Sequence, residues 1–133
     1  MLKSKPWWLR RFTNEGTSVT IFPNIYLCDT VFNNQEKHLA VIEHEKLHLH
    51  QQEAMGRFKW LWKYRTHRSF RLQEETAAYG LALTFFPVEM RDIELAWAAQ
   101  VLTGSSLWHA APNAEVAIKM IMAAYTAAGG QPW

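Results

Sequence analysis

Two histidines four residues apart, with a glutamate directly after the first, are the residues of this chain best suited to metal chemistry. They lie in the segment His44-Glu45-Lys46-Leu47-His48. On an α-helix, positions four apart are separated by about 40° around the axis and roughly 6 Å along it, so both imidazoles project from one face. Glu45 lies about 100° from His44, where a carboxylate can act as a base. This spacing predicts a Zn²⁺ site with hydrolytic chemistry.

A catalytic zinc site usually has three protein ligands and leaves the fourth position for water, so a third ligand must come from elsewhere. The candidates are Glu74, Glu75, His67, His50, His38 and His109. His50 is turned about 160° away from the second motif histidine, and His38 lies more than one turn before the first. Glu74 and Glu75 both lie on largely apolar helical stripes, where an unpaired carboxylate is costly to bury. Periodicity alone leaves both glutamates as candidates.

The remaining sequence predicts a short β region followed by helices. Residues 17–27 form two β-favouring runs separated by the turn dipeptide Pro23-Asn24, which predicts a hairpin. Asn33 or Asn34 can cap a helix that continues to Gly56, so the motif falls within one long helix. Further helices are predicted at about residues 58–64, 70–86 and 87–103, and from an Asn113 cap to Gly129. The predicted fold class is α+β, mostly helical, with a short antiparallel β-hairpin before the motif helix.

Composition places the chain among globular proteins and argues against several classes of function. Its 133 residues suffice for one domain, and 49% hydrophobic with 20% charged residues is ordinary usage. The net charge of +2 argues against nucleic acid as a partner, although short basic groups occur at residues 10–11 and 59–71. The single Cys28 excludes an internal disulfide. No apolar run has the length of a signal peptide or of a membrane span, which predicts a soluble, cytoplasmic protein without a transmembrane segment.

Aromatic residues are frequent, at 14% of the chain, and include seven tryptophans. The segment from Pro6 to Phe12 concentrates aromatic residues beside positive charge, a combination that can lie on a membrane interface. It spans only about two helical turns, which gives little buried area for such binding. Trp serves readily as a large hydrophobic anchor, so we expect this segment to pack on the core. Trp60 and Tyr64 are likewise expected in the core or in the wall of an apolar substrate pocket.

The motif and its downstream glutamate resemble the gluzincin branch of zinc metallopeptidases. In that branch a small alanine often stands three residues after the ligand glutamate, and Ala78 has this spacing from Glu75. More narrowly, the chain is similar to small zincin-like proteins of bacteria and phages. This similarity rests on Thr20 to Leu27, His44 to Gln51, Gly56 with Phe58 and Tyr64, and Glu75 to Tyr79. It implies a single zincin-like domain, family-like over about residues 16–86, with additional C-terminal helices at about 87–130.

The resemblance implies a minimal zinc metallopeptidase acting on a peptide or protein substrate. Its metal ligands would be His44, His48 and Glu75, with Glu74 as the alternative to Glu75. Glu45 would be the general base that takes a proton from the attacking water.

Two further side chains are candidates for supporting roles. Tyr79 lies one turn beyond Glu75 and is a weaker candidate for donating a hydrogen bond to a developing oxyanion, as are His67 and His109. Gln51 follows His48 by three residues on the same face, so its amide can orient a ligand.

A competing interpretation is a protein that binds zinc without catalysis, or an interaction module such as a phage assembly component. Lys46 is charged where such helices are usually uncharged, and Ala77 stands where the group tends to have a second acidic residue. Glu45 favours the enzyme, because a structural site needs no base. The helices beyond residue 86 offer a surface for a protein partner. If the chain is encoded by a phage, we expect it in the host cytoplasm or the virion.

Overall fold

A computed structural model describes all 133 residues, which form seven α-helices and a small sheet of three strands. The helices are α1 (Trp7–Arg10), α2 (Asp29–Asn33), α3 (Leu39–Met55), α4 (Arg57–Thr66), α5 (Arg68–Leu83), α6 (Val88–Thr103) and α7 (Ala114–Ala127). The strands are β1 (Leu2–Ser4), β2 (Val19–Ile21) and β3 (Asn24–Leu27). The predicted fold class, mostly helical α+β with a hairpin before the motif helix, is confirmed.

The sheet combines the predicted hairpin with a strand that the sequence did not indicate. Its order is β1-β3-β2. β2 and β3 run antiparallel with Thr20 opposite Ile25, and β1 pairs in parallel with β3, with Leu2 opposite Ile25. A strand of three residues is too short to show a periodicity of two, so the sequence pattern does not predict β1. The sheet places β2 at an edge, next to α3.

The motif helix begins later than predicted. Asn33 ends α2, and after a short 3₁₀ turn at Gln35–Lys37 helix α3 starts behind His38, without a side-chain cap. The prediction of a cap at Asn33 or Asn34 was therefore wrong, because local turns satisfy the backbone of this segment. Helix α3 ends as predicted at Gly56, whose φ of 94° allows the turn into α4.

The N-terminal aromatic segment does not pack on the core as expected. Within α1 only Leu9 is buried, whereas Trp7 and Phe12 are largely exposed. A helix of four residues turns only one face toward the core, and Leu9 is the residue on that face. The segment is held by Arg10, which donates hydrogen bonds of 2.6 and 3.0 Å to the carboxylate of Asp29.

Helix α5 lies between the motif helix and the C-terminal helices, since it packs against both α3 and α7. The main hydrophobic core lies where α5 packs against the C-terminal helices, and it includes Leu102, Ile121 and Tyr125. Helix α7 begins at the predicted cap, where the side chain of Asn113 accepts a hydrogen bond of 2.9 Å from the backbone N–H of Val116. No helix combines the length and apolar character needed to cross a membrane.

Helices α5 and α7 approach closely at Gly80. A β-carbon added there would lie 2.5 Å from Cβ of Ala124 and 2.7 Å from the backbone nitrogen of Tyr125. We expect Gly80→Ala to lower the free energy of unfolding by about 1–3 kcal/mol despite its better helix propensity, because the two backbones must separate. Chemical denaturation measures this. The control is Gly16→Ala, where nothing lies within 4 Å of the added carbon; equal loss in both variants would contradict the prediction.

Candidate metal centre

His44, His48 and Glu75 come together between α3 and α5. The two Nε2 atoms are 3.1 Å apart. The Oε2 atom of Glu75 lies 3.3 Å from Nε2 of His44, and its Oε1 atom lies 3.2 Å from Nε2 of His48. Tetrahedral ligands bound to zinc at about 2.0–2.1 Å are separated from each other by about 3.3–3.4 Å. The three donor groups are therefore spaced like corners of a zinc tetrahedron.

The periodicity of α3 and α5 explains how the three side chains meet. The histidines are one turn apart on α3, and Glu75 lies on a buried stripe of α5 with Arg71, Ala78 and Ala82. The helices pack against each other along these faces. All three cluster side chains are largely buried, which is costly for a carboxylate unless a positive charge accompanies it.

The electrostatics of the cluster keep Glu75 charged. Burial would lower the pKa of His48, but the adjacent Glu75 carboxylate raises it to about 9. Burial would raise the pKa of Glu75, but the charge of His48 and hydrogen bonds from both imidazoles hold it well below its usual range. The buried Glu75 carboxylate thus stays ionised, with the positive charge of His48 beside it.

Gln51 fixes the orientation of the His48 ring. Its Oε1 atom accepts a hydrogen bond of 2.8 Å from Nδ1 of His48, while its amide nitrogen donates to the backbone carbonyl of Glu74 at 3.4 Å. The second bond assigns the amide oxygen to the histidine side. In the neutral imidazole the proton therefore lies on Nδ1, and Nε2 presents its lone pair to the cluster. The contact expected from the spacing of these residues is present.

Glu74 belongs to a different environment from Glu75. Its Oε1 atom accepts a hydrogen bond of 3.0 Å from Nε1 of Trp60, and it is not part of the group whose donor atoms lie within 4.8 Å of one another. The other histidines considered as third ligands also lie outside this group; they are His38, His50, His67 and His109. The structure thus brings together the pair of histidines and Glu75, and separates Glu74 from them.

Tyr64 contacts the cluster directly, which sequence reasoning missed. Its hydroxyl donates a hydrogen bond of 2.5 Å to Oε1 of Glu75, and its ring stacks on Trp60 at 4.7 Å between centroids. Burial and the charge of Glu75 raise the pKa of Tyr64, so it stays a donor. The contact depends on how α4 packs against α5, which no local pattern encodes.

Buried Arg71 connects the end of α4 to the loop at Leu107 and Trp108. Its guanidinium donates to the backbone carbonyls of Tyr64 at 2.6 Å, Leu107 at 2.9 Å and Trp108 at 3.4 Å. It also lies 5.1 Å from the centre of the Trp108 ring. Trp108 and His109 both have φ of 50°, a left-handed conformation that is uncommon without glycine. Arg71 therefore stabilises a strained loop that lines the cleft.

Glu45 lies beside the cluster, buried under β2. Its Oε2 atom accepts a hydrogen bond of 2.6 Å from Oγ1 of Thr20, which is also 3.1 Å from the backbone carbonyl of Glu45. Burial raises the pKa of Glu45, although the charges of His44 and His48 and the bond from Thr20 oppose this. A carboxylate with a raised pKa is a better proton acceptor near neutral pH.

Gln52 connects the motif helix to the edge of the sheet. This fully buried side chain donates to the carbonyl of Thr20 at 2.9 Å and accepts from the backbone N–H of Phe22 at 2.8 Å. Its amide thereby takes the place of a neighbouring strand along part of β2. The contact fixes Thr20 above Glu45. Neither Gln52 nor Thr20 has a sequence signal for this role, because they are 32 positions apart.

Tyr79 lies against His44, with 4.5 Å between ring centroids, and lines the cleft. Burial and the charge of Glu75 raise its pKa well above the usual value, so its hydroxyl stays protonated and can donate. Its function as an oxyanion donor stays a prediction. The charged Lys46 lies outside the cleft and pairs with Glu43 at 3.0 Å, so it does not disturb the cluster.

Two cavities meet at this cluster. One, of about 600 Å³, lies between α3, α5 and α6 and is mainly apolar. The other, of about 810 Å³, contains the three donor groups and has aromatic walls from α4 and the loop at Trp108. His44, Glu45, Tyr79 and Trp97 line both cavities. The cleft formed by the two cavities therefore extends from the cluster in two directions.

No family model, curated protein or solved structure matches this chain. The resemblance to zincin-like proteins accordingly stays a prediction based on the sequence motif.

Proposed function

We propose that this chain is a zinc-dependent peptidase, in which His44, His48 and Glu75 hold the metal and Glu45 is the general base. The spacing of 3.1–3.3 Å among the three donor groups carries this proposal. Two nitrogen donors and one carboxylate form a ligand set that zinc favours, and catalytic sites typically have three protein ligands. When bound, zinc would supply a Lewis acid for the scissile carbonyl and a more acidic water.

The residues of the chain supply the proton transfers. Glu45 accepts the proton of the attacking water and then delivers it to the leaving amine. Thr20 can support both forms of Glu45. Its hydroxyl donates to the carboxylate; once Glu45 is protonated, the hydroxyl can accept from it and donate to the backbone carbonyl 3.1 Å away. Tyr79 is the candidate donor for the oxyanion.

Two features of the cleft support a peptide as substrate. Cavities on both sides of the cluster give room for residues before and after the scissile bond. Thr20 lies opposite Ile25, whose N–H is donated toward β1, so the backbone of Thr20 faces the open side of β2. Gln52 already occupies the carbonyl of Thr20 and the N–H of Phe22, so the edge that is left for pairing with an extended chain runs from Ser18 to the N–H of Thr20.

A non-catalytic metal site is the alternative, and two observations disfavour it. Structural zinc sites are typically closed by four protein ligands, whereas this cluster has three. Glu45 is buried beside the cluster at a cost in desolvation. A purely structural metal site does not need this carboxylate, so it does not explain the cost.

The direct experiment measures zinc content and hydrolysis of fluorescent casein, with and without a chelator. We expect one zinc per chain and a casein cleavage activity that the chelator abolishes and equimolar zinc restores. One bound zinc without cleavage of casein or of a peptide library would contradict the peptidase while retaining the metal site. Absence of zinc binding would contradict both.

A further inference from the structure

The outer face of α4 exposes two aromatic rings that the core does not use. Phe58 is 75% exposed and Trp62 is 67% exposed. Because they are four residues apart on a helix, their side chains lie next to each other. The opposite face of α4 carries the buried Trp60 and also Tyr64, which bonds to Glu75 of the cluster. Packing within the chain therefore does not account for the outer rings.

Positive charge surrounds these rings. Residues 57–71 contain six of the fourteen Lys and Arg residues and none of the twelve Asp and Glu residues. The rest of the chain has eight basic and twelve acidic residues, a net charge of −4. The basic residues of this segment are Arg57, Lys59, Lys63, Arg65, Arg68 and the buried Arg71. Apart from buried Arg71, these basic residues belong to α4 and the first residue of α5, in a protein whose other residues are net acidic.

These cations are not neutralised inside the molecule. The salt bridges of the chain involve other residues, and no carboxylate lies within 4.0 Å of a charged group of this segment. Arg57 instead lies 4.7 Å from the centre of the Phe58 ring, and Lys63 lies 5.4 Å from that of Phe70. The face of α4 therefore offers both apolar rings and uncompensated positive charge.

We propose that this face of α4 binds the surface of an anionic phospholipid membrane. Aromatic rings with flanking Lys and Arg are typical of helices that lie in the membrane interface, with the rings among the headgroups and the cations near the lipid phosphates. Phe58 and Trp62 lie on a helix surface outside both cavities, whereas the cleft uses Leu61 and Tyr64. A flat bilayer fits such a surface, while single-stranded nucleic acid is typically bound in a groove.

Membrane binding through α4 would place the cleft beside the bilayer, since Leu61 and Tyr64 of the same helix line it. Membrane binding through this face does not depend on catalysis. Phe58, Trp62 and Lys59 do not line the cleft, so variants at these positions leave the cluster intact.

The test is cosedimentation of the full chain with vesicles of phosphatidylcholine, with and without phosphatidylglycerol. We expect binding that requires phosphatidylglycerol and weakens with salt. Phe58→Ala/Trp62→Ala should reduce the partition coefficient at least about tenfold. Lys59→Gln should reduce it about fivefold. Lys119→Gln is the matched control, because it removes the same charge from an exposed position on α7 and should have a smaller effect.

Three results would overturn membrane docking. One is equal sedimentation with both kinds of vesicle, and another is unchanged binding of the Phe58→Ala/Trp62→Ala variant. The third is binding of labelled single-stranded RNA that the double variant loses, in a chain that does not bind the vesicles. Circular dichroism of each variant should match that of the wild type, since both rings are mostly exposed.

Discussion

Glu75→Gln should remove zinc from the purified chain, whereas Glu74→Gln should leave it bound. Glu75 supplies the charged donor group of the cluster, 3.2–3.3 Å from both imidazole nitrogens. Glu74 accepts from Trp60 instead, and a glutamine oxygen can accept the same bond. We expect zinc affinity to fall in Glu75→Gln by more than the roughly 100-fold that loss of an outer-shell partner can cause.

Metal analysis and thermal unfolding measure this difference. A ligand at 100 times its dissociation constant stabilises the native state by about 2.7 kcal/mol, so zinc should raise the melting temperature of the wild type and of Glu74→Gln. Glu75→Gln should show no such rise. The two variants make the same chemical change at adjacent positions, and circular dichroism checks that both fold. Zinc retained by Glu75→Gln and lost by Glu74→Gln would refute the assignment of the third ligand.

Glu45→Gln should abolish peptide hydrolysis without releasing zinc. The substitution preserves the size of the side chain and an oxygen that can accept from Thr20, but it removes the group that takes the proton. Loss of a general base typically costs on the order of 10²–10⁴ in rate. The measurement is turnover of fluorescent casein together with zinc content.

Glu43→Gln is the control for Glu45→Gln. Glu43 lies on the same helix, two residues earlier, and pairs with Lys46 outside the cleft. We expect this variant to retain wild-type turnover. Unchanged turnover in Glu45→Gln, with zinc still bound, would show that another group accepts the proton or that the cleavage comes from a contaminant.

Comparison of the two glutamates shows what local patterns leave open. Glu74 and Glu75 differ by about 100° around α5, and both lie on apolar stripes of that helix. Which of them meets the histidines depends on the rotation of α5 against α3, a property of packing between helices. In the structure Glu75 faces the histidines and Glu74 faces Trp60.

The exposed aromatic residues show that hydrophobic character alone does not predict burial. Trp7 and Phe12 are expected in the core, yet both are largely exposed: α1 turns only Leu9 inward, and Phe12 lies beyond the end of that helix. Phe58 and Trp62 are exposed as well, on a helix whose buried side is also aromatic. Composition identifies residues that can be buried, but the number of inward positions on each helix limits how many are.

Local sequence predicts the pair of histidines on one helix face, the hairpin before them and the Asn113 cap, because each depends on residues close together in the chain. The bonds of Tyr64 to Glu75 and of Thr20 to Glu45, across 11 and 25 positions, form only in the folded chain. Such contacts depend on how helices and strands pack, and packing has no local period. The histidine motif is recognisable within one helical turn of sequence, whereas the side chains that surround it are brought there by the folding of the whole chain.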